Sequence, residues 1–236
     1  MAEPNPLAPY GTSLTDDLPR YLSAAPVRTI VDIGAHEGQS LDQFAALFPD
    51  AAILSFEPVP ATFERLRETA RRHPRARAFN LALADTPGPR TIRCGRHSVL
   101  NSLLAPDAEY AWPTSPLDTQ VTVDCDTLDA VATRQGLTVI DLLKIDVQGA
   151  ESLVLAGARH LLAAGRIRAI KIEVLFLALY EGQPSFATLL AAMETHGFRF
   201  AGLYDEFHDA GGWLCWGDAL FIHASARAGV SLPALP

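Results

Sequence analysis

Apolar positions along this chain fall into short runs that alternate between two periods. Thr29–Ile33 is a β-branched run stopped by Gly34, the pattern of a buried strand. Leu41, Phe44, Ala45 and Phe48 then recur at i, i+3, i+4 and i+7, one face of a helix that Pro49 and Asp50 end. Ala51–Phe56 predicts a second strand, Phe63, Leu66 and Ala70 a second helix, and Ala76–Leu83 a third strand. The alternation lapses over about 86–118, a proline-containing, loop-rich insert with one strand-like piece at Thr91–Cys94. It resumes with a strand at Thr119–Cys125, a helix over Thr127–Gln135, a strongly apolar strand at Val139–Val147 and a helix over Ala150–Leu162. A strand at Ile167–Leu175 and a helix carrying Phe186, Leu189, Leu190 and Met193 follow. Phe198–Leu203 and Trp213–His223 have no helical pattern between them and are expected to pair antiparallel. Repeated strand–helix units closed by such a pair predict an open, mostly parallel α/β sheet.

The expected organisation is an extended lead-in over 1–25 with at most one short helix, a single domain over 26–225 that includes the insert, and a tail over 226–236. With 236 residues, 49% of them apolar, the chain buries a sizeable core, and no run approaches the ~18 apolar residues of a membrane span. The start lacks the basic patch and apolar run of a secretory signal, and Cys94, Cys125 and Cys215 form no CxxC pair, so a cytoplasmic chain with free thiols is expected. A net charge of −8 argues against a nucleic-acid partner. Trp112, Trp213 and Trp216 are candidates either to cover a homodimer interface or to fill a core.

The most informative segment is Val31-Asp-Ile-Gly-Ala-His-Glu-Gly38, between the first strand and the first helix. An open α/β sheet takes its ligand there, at the carboxyl ends of the strands. Gly34 permits a tight turn and close approach of a ligand, and Gly38 lets the following helix pack close. Ala35 and Glu37 break the GxGxxG of dinucleotide sites, and Asp32 would repel a pyrophosphate. A phosphate-free nucleoside with a cationic tail, such as S-adenosylmethionine, fits better. Glu57 ends the second strand 23 residues beyond Gly34, where a carboxylate meets both hydroxyls of a ribose, and Pro58 stiffens its turn. Asn80 and Asp85, around the end of the third strand, are candidates for the adenine edge, with a turn role for Asp85 nearly as good.

Asp32-Ile-Gly-Ala-His-Glu-Gly38, Phe56-Glu57-Pro58, Asn80-Leu-Ala-Leu-Ala-Asp85 and Lys144-Ile-Asp-Val-Gln-Gly-Ala-Glu151 together resemble the FkbM-type methyltransferases, from about Val27 to His223. That resemblance implies a class I, Rossmann-like fold: a mostly parallel seven-stranded sheet with helices on both faces and an antiparallel C-terminal strand. It implies S-adenosylmethionine as methyl donor. It also implies a small-molecule acceptor, most often a hydroxyl on a sugar or natural product, less often a peptide or amine nitrogen. A non-catalytic cofactor-binding partner in a biosynthetic complex is the remaining alternative. Where the family often has Asn, this chain has His36.

Methyl transfer to a hydroxyl needs alignment and removal of one proton. Candidate bases are Asp146, at the end of the strand over 139–145 and also a candidate cofactor contact, together with His36, His97 and His208. His97, Asn101 and Ser102 of the insert are candidate acceptor contacts. Glu173 is another, an acid inside an apolar strand that needs a partner, with Lys144 or Lys171 the expected one. Asp146 and Glu173 are the candidate ligands of a divalent metal, but without a clear third ligand its absence is the preferred reading.

Overall fold

The computed structural model describes residues 9–95, 98–107 and 119–227. The parallel strands are β1 (Thr29–Ile33), β2 (Ala52–Phe56), β3 (Ala76–Phe79), β7 (Ile140–Ile145) and β8 (Ile167–Leu175), joined at one edge by β9 (Phe198–His208) and β10 (Leu214–His223). Their order is β3-β2-β1-β7-β8-β10-β9, with β10 antiparallel to both β8 and β9. The seven-stranded, mostly parallel sheet with an antiparallel end is therefore present as expected. Order reverses between β1 and β7, so the carboxyl ends of these strands flank a crevice.

Alternate strand residues feed two cores. Ile30, Ile53 and Leu142 pack with α1 (Leu14–Tyr21), α2 (Gln39–Leu47) and α3 (Pro60–Arg71) on one face. Val31, Leu54 and Leu143 pack on the other with α4 (Leu128–Gln135), α5 (Glu151–Ala156), α6 (Arg159–Ala163) and α7 (Phe186–Thr195). Burial on both faces is why these strands read as continuous apolar runs. From Leu14 the expected lead-in is a helix whose Leu14, Leu18 and Tyr21 belong to the core.

Three elements differ from the sequence reading. The third strand divides: β3 stays in the main sheet, while β4 (Ala82–Leu83) joins β5 (Gly88–Cys94) and β6 (Thr119–Asp126) in a separate three-stranded sheet ordered β4-β6-β5. Part of the insert is thus regular structure with its own small core, including Ile92, Val123 and Cys125. The helix expected over Ala150–Leu162 breaks at Gly157, where the Ala84 carbonyl comes so close that a Cβ would lie 2.0 Å from its oxygen. The late segment around 204–208 is strand rather than loop. Trp216 stacks on Phe207 with centroids 4.0 Å apart, Trp213 is exposed, and Trp112 lies outside the described residues.

Candidate functional site

The turn after β1 is built by close approach. The Gly34 and Ala35 amides both donate to the Phe56 carbonyl at 3.0 Å, which locks the turn to the end of β2. Gly34 has φ +72°, and a Cβ there would lie 1.8 Å from the Asp146 carbonyl oxygen, so no side chain fits. Gly38 plays the packing role expected of it: with φ +100°, a Cβ would meet Thr69 of α3 at 2.6 Å. Between them His36 adopts the left-handed conformation, φ 50°.

Glu57 follows β2 and is almost fully buried. Its Oε1 accepts from the Val59 amide at 2.9 Å and its Oε2 from the His36 amide at 3.2 Å. Burial pushes its pKa up to about 7, against the downward pull of those two amides and of Lys144. Asn80 does not line the cavity. Its side-chain amide donates to the Glu57 and Pro58 carbonyls at 2.9 and 2.8 Å, fixing the turn that carries the carboxylate. Asp85 is also off the cavity, paired with Arg90 at 2.5 Å.

Asp32 corrects the sequence reading. It is completely buried under the turn and does not wall the cavity, with Ser55 Oγ donating to it at 3.4 Å and Lys144 between it and Asp146. Lys144 Nζ donates to the Gly34 carbonyl at 2.6 Å and lies 3.3 Å from Asp32 and 3.4 Å from Asp146. Burial opposes its charge, but Asp146 and Asp32 outweigh burial and hold the ammonium protonated beyond the usual lysine range. Burial likewise works against the Asp146 carboxylate, and Lys144 and Lys171 overcome it, leaving the acid below its ordinary pKa.

After β7 the chain turns through Gln148, φ 56°, and Gly149. Glu151 pins this turn, its Oε1 accepting from the Val147 and Gly149 amides at 3.2 and 3.1 Å, while burial raises its pKa to about 7. Gln148 Nε2 donates to Asp146 at 3.0 Å and to Glu173 at 2.6 Å. Glu173 therefore takes Gln148 as partner, not a lysine, because Lys171 is engaged by Asp218 at 2.6 Å. Burial and the adjacent Asp146 charge push Glu173 well above the usual carboxylate range.

The insert forms a wall over these groups. Ser98 Oγ lies 2.7 Å from His36 Nε2, and Asn101 accepts from the Gly95 amide at 3.2 Å on the cavity rim. Ser102 is not an acceptor contact: it is buried, and its hydroxyl donates to the Gln148 carbonyl at 2.6 Å. Tyr180 donates to the Leu100 carbonyl at 3.0 Å. His208 is half exposed, 3.7 Å from Glu206, and does not wall the cavity; His97 lies outside the described residues.

These groups enclose a cavity of about 290 Å³, walled by Gly34, Glu57, Pro58, Leu81, Asp146 and Glu173 among others. Among the described residues, no three His, Cys, Asp or Glu side chains converge to hold a metal, and no helix is long and apolar enough to cross a membrane. Sequence reasoning missed Gln148 and gave Lys144 too small a part. A lysine inside an apolar strand is the same signal that singled out Glu173, whereas nothing local marks a glutamine in a turn.

Comparison with known proteins agrees with this geometry. Residues 32–200 match the family described as Methyltransferase FkbM domain. The chain is 33% identical over 175 residues to the 2-O-methyltransferase NoeI of Sinorhizobium fredii, covering 70% of each chain. It is 29% identical over 204 residues to the 31-O-demethyl-FK506 methyltransferase FkbM of Streptomyces tacrolimicus, covering 76% of each. Among solved structures, the METTL16 methyltransferase domain superposes with a TM-score of 0.51 over 89% of this chain and 64% of that one, at 12% identity, a likeness of fold alone. That fold is the class I methyltransferase fold. Matched over most of its length, this chain belongs to the FkbM family of methyltransferases, which take the methyl group from S-adenosylmethionine.

Proposed function

We propose that the protein O-methylates a hydroxyl on a sugar or natural-product small molecule, with the donor in the cavity between β1, β2 and β7. The observation that carries this reading is the set of charges on that cavity. Asp146 and, above about pH 7, Glu57 face it as carboxylates beside the acid Glu173, and Lys144, the one lysine or arginine among the described wall residues, is already engaged by Asp32, Asp146 and the Gly34 carbonyl. Such a wall repels a pyrophosphate and suits a nucleoside with a cationic tail. Two relatives whose names specify O-methylation support the choice of oxygen over nitrogen.

S-adenosylmethionine, when bound, supplies an electrophilic methyl group on a sulfonium centre. In this reading Glu57 offers its two oxygens to the ribose hydroxyls, and Asn80 holds its turn in place. Gly34, Ala35 and Pro58 supply close backbone walls, and Leu81 and Leu83 an apolar surface for the base. Asp146, kept ionised by Lys144, takes the acceptor proton, while Asn101 and the neighbouring insert wall face the acceptor. His36 is given a wall-fixing part, through Ser98, in place of the catalytic one.

Calorimetric titration with S-adenosylmethionine, S-adenosylhomocysteine and NAD tests the donor site. Both adenosyl ligands should bind the wild type. Glu57→Ala should weaken them by about tenfold or more, the worth of a charged hydrogen bond. Asp85→Ala should leave them unchanged. Binding of NAD in their place, or indifference to Glu57→Ala, overturns the assignment. Transfer of labelled methyl from the donor to a panel of hydroxylated glycans and amines then tests oxygen against nitrogen.

A further inference from the structure

We infer that Asp146 and Glu173 act as one carboxyl pair holding a single proton at the cavity floor, and that Gln148 is the positioning residue that keeps them together. The use of the pair in catalysis rests on the methyl-transfer reading above. The geometry begins with one amide nitrogen serving two acids: Gln148 Nε2 reaches Glu173 Oε2 at 2.6 Å and Asp146 Oδ1 at 3.0 Å. An amide nitrogen has two hydrogens, so each carboxyl takes one, and the acids are drawn to the same point.

The charges around the pair are unequal. Lys144, on β7, lies 3.4 Å from Asp146. On β8, Lys171 is committed to Asp218 of β10 at 2.6 Å, so among the described residues Glu173 has no ion-pair partner. Glu151 at the start of α5 and Asp218 add negative charge, and Tyr180, itself pushed far above its ordinary pKa by burial, adds no positive charge. Two adjacent carboxyls whose nearest cation, Lys144, is shared with Asp32 do not both ionise. Asp146 carries the charge and Glu173 the proton, which agrees with the opposite directions in which their pKa values move.

Gln148 does not hold this position by its own preference. Its backbone is left-handed at φ 56°, and Tyr180 packs so tightly on Gly149 that a Cβ there would lie 2.9 Å from the ring. Ser102 of the insert donates to the Gln148 carbonyl at 2.6 Å, and the Tyr180 hydroxyl lies 3.4 Å from its side-chain oxygen. The acceptor-side wall therefore sets the amide that sets the acids. During turnover the acceptor hydroxyl would give its proton to Asp146 as its oxygen bonds the methyl group, whose bond to the donor sulfur breaks with the electron pair left on sulfur as a neutral thioether. The pair then carries two protons and returns one to solvent.

The test is a carbon-13 NMR titration of the full chain labelled at the Asp and Glu side-chain carboxyls, with the Glu173 signal assigned by its loss in Glu173→Gln. Glu173 should stay un-ionised to higher pH than the ordinary glutamates of the chain, while Asp146 ionises before them. Asp146→Asn removes the neighbouring charge and should lower the Glu173 midpoint by about one pH unit or more. The same substitution made in a Gln148→Leu background should shift it by less than half as much, because the acids are no longer held together. A Glu173 that titrates as an ordinary glutamate, or a midpoint unmoved by Asp146→Asn, overturns the pair. An equal shift in both backgrounds overturns the role of Gln148. The titration needs neither donor nor acceptor, so the pair stands or falls apart from the methyl-transfer reading, which fails separately if S-adenosylmethionine does not bind.

Discussion

At the residue scale, Glu57 combines two demands that conflict. In the proposed donor site it accepts hydrogen bonds from a diol, which favours the carboxylate, and it is buried, which favours the acid. The outcome is a pKa of about 7, set first by burial and moderated by the Val59 and His36 amides. Because the value is raised, the charged form is present above about pH 7 and is lost as pH falls through it. Donor affinity is therefore expected to drop up to about tenfold between pH 8 and pH 6, the change in ionised fraction. In Glu57→Gln it should be weaker and flat across that range, and binding titrations in matched ionic strength check both. Asp32 illustrates the complementary case. Its charge was legible as important, but a sequence gives no depth, and its partner Lys144 stands 112 residues away on the adjacent strand.

At the element scale, strands were read more faithfully than helices and turns. β1, β2, β7 and β8 are apolar runs buried on both faces, and that pattern survives any detail of packing. The break between α5 and α6 was not legible, because the residues from Ala150 to Leu162 have helical spacing throughout, and the cause lies in another element. Gly157 sits against the Ala84 carbonyl just after β4, and its own carbonyl accepts from the Asp129 amide at 3.0 Å. Gly157→Ala, which would improve an isolated helix, should here destabilise the fold by about 2 kcal/mol through overpacking against backbone. The check is a lower urea midpoint at unchanged slope.

At the scale of the whole molecule, the sheet has a chemical end and a structural end. At the carboxyl ends of the strands lie Glu57, Asp146 and Glu173. At the opposite end Asp141 accepts from the Arg28 and Thr29 amides at 2.7 and 2.9 Å and pairs with Arg168 at 2.7 Å, and Arg168 in turn donates to the Leu22 carbonyl at 3.1 Å. This network joins β7, β8 and the segment after α1, and both charged side chains are largely buried. Asp141→Ala strands Arg168 and two amides, and should cost about 3–5 kcal/mol of stability. Asp141→Asn keeps acceptors for the amides and should cost less. In both, the folded protein should bind the donor within about twofold of wild type, since the network is at the far end from the cavity. Denaturant unfolding and donor titration on the same preparations separate the two effects.

Fold class and the glycine turn of the proposed donor site are legible from the chain alone. Period-2 and period-3.6 patterning dictates which segments are strands and helices, and a glycine turn followed by an acid 23 residues on marks the proposed donor site at the strand ends. Both signals are local, so they can be read in order along the chain. Tertiary structure decided which of the candidate residues meet. It sent Asp85, Ser102 and His208 to structural or surface positions and buried Asp32 under Lys144. It also brought Gln148 to Asp146 and Glu173. The physical reason is that the strength of a charge or a hydrogen bond depends on depth and on partners remote in sequence, and neither quantity exists until the strands are packed side by side.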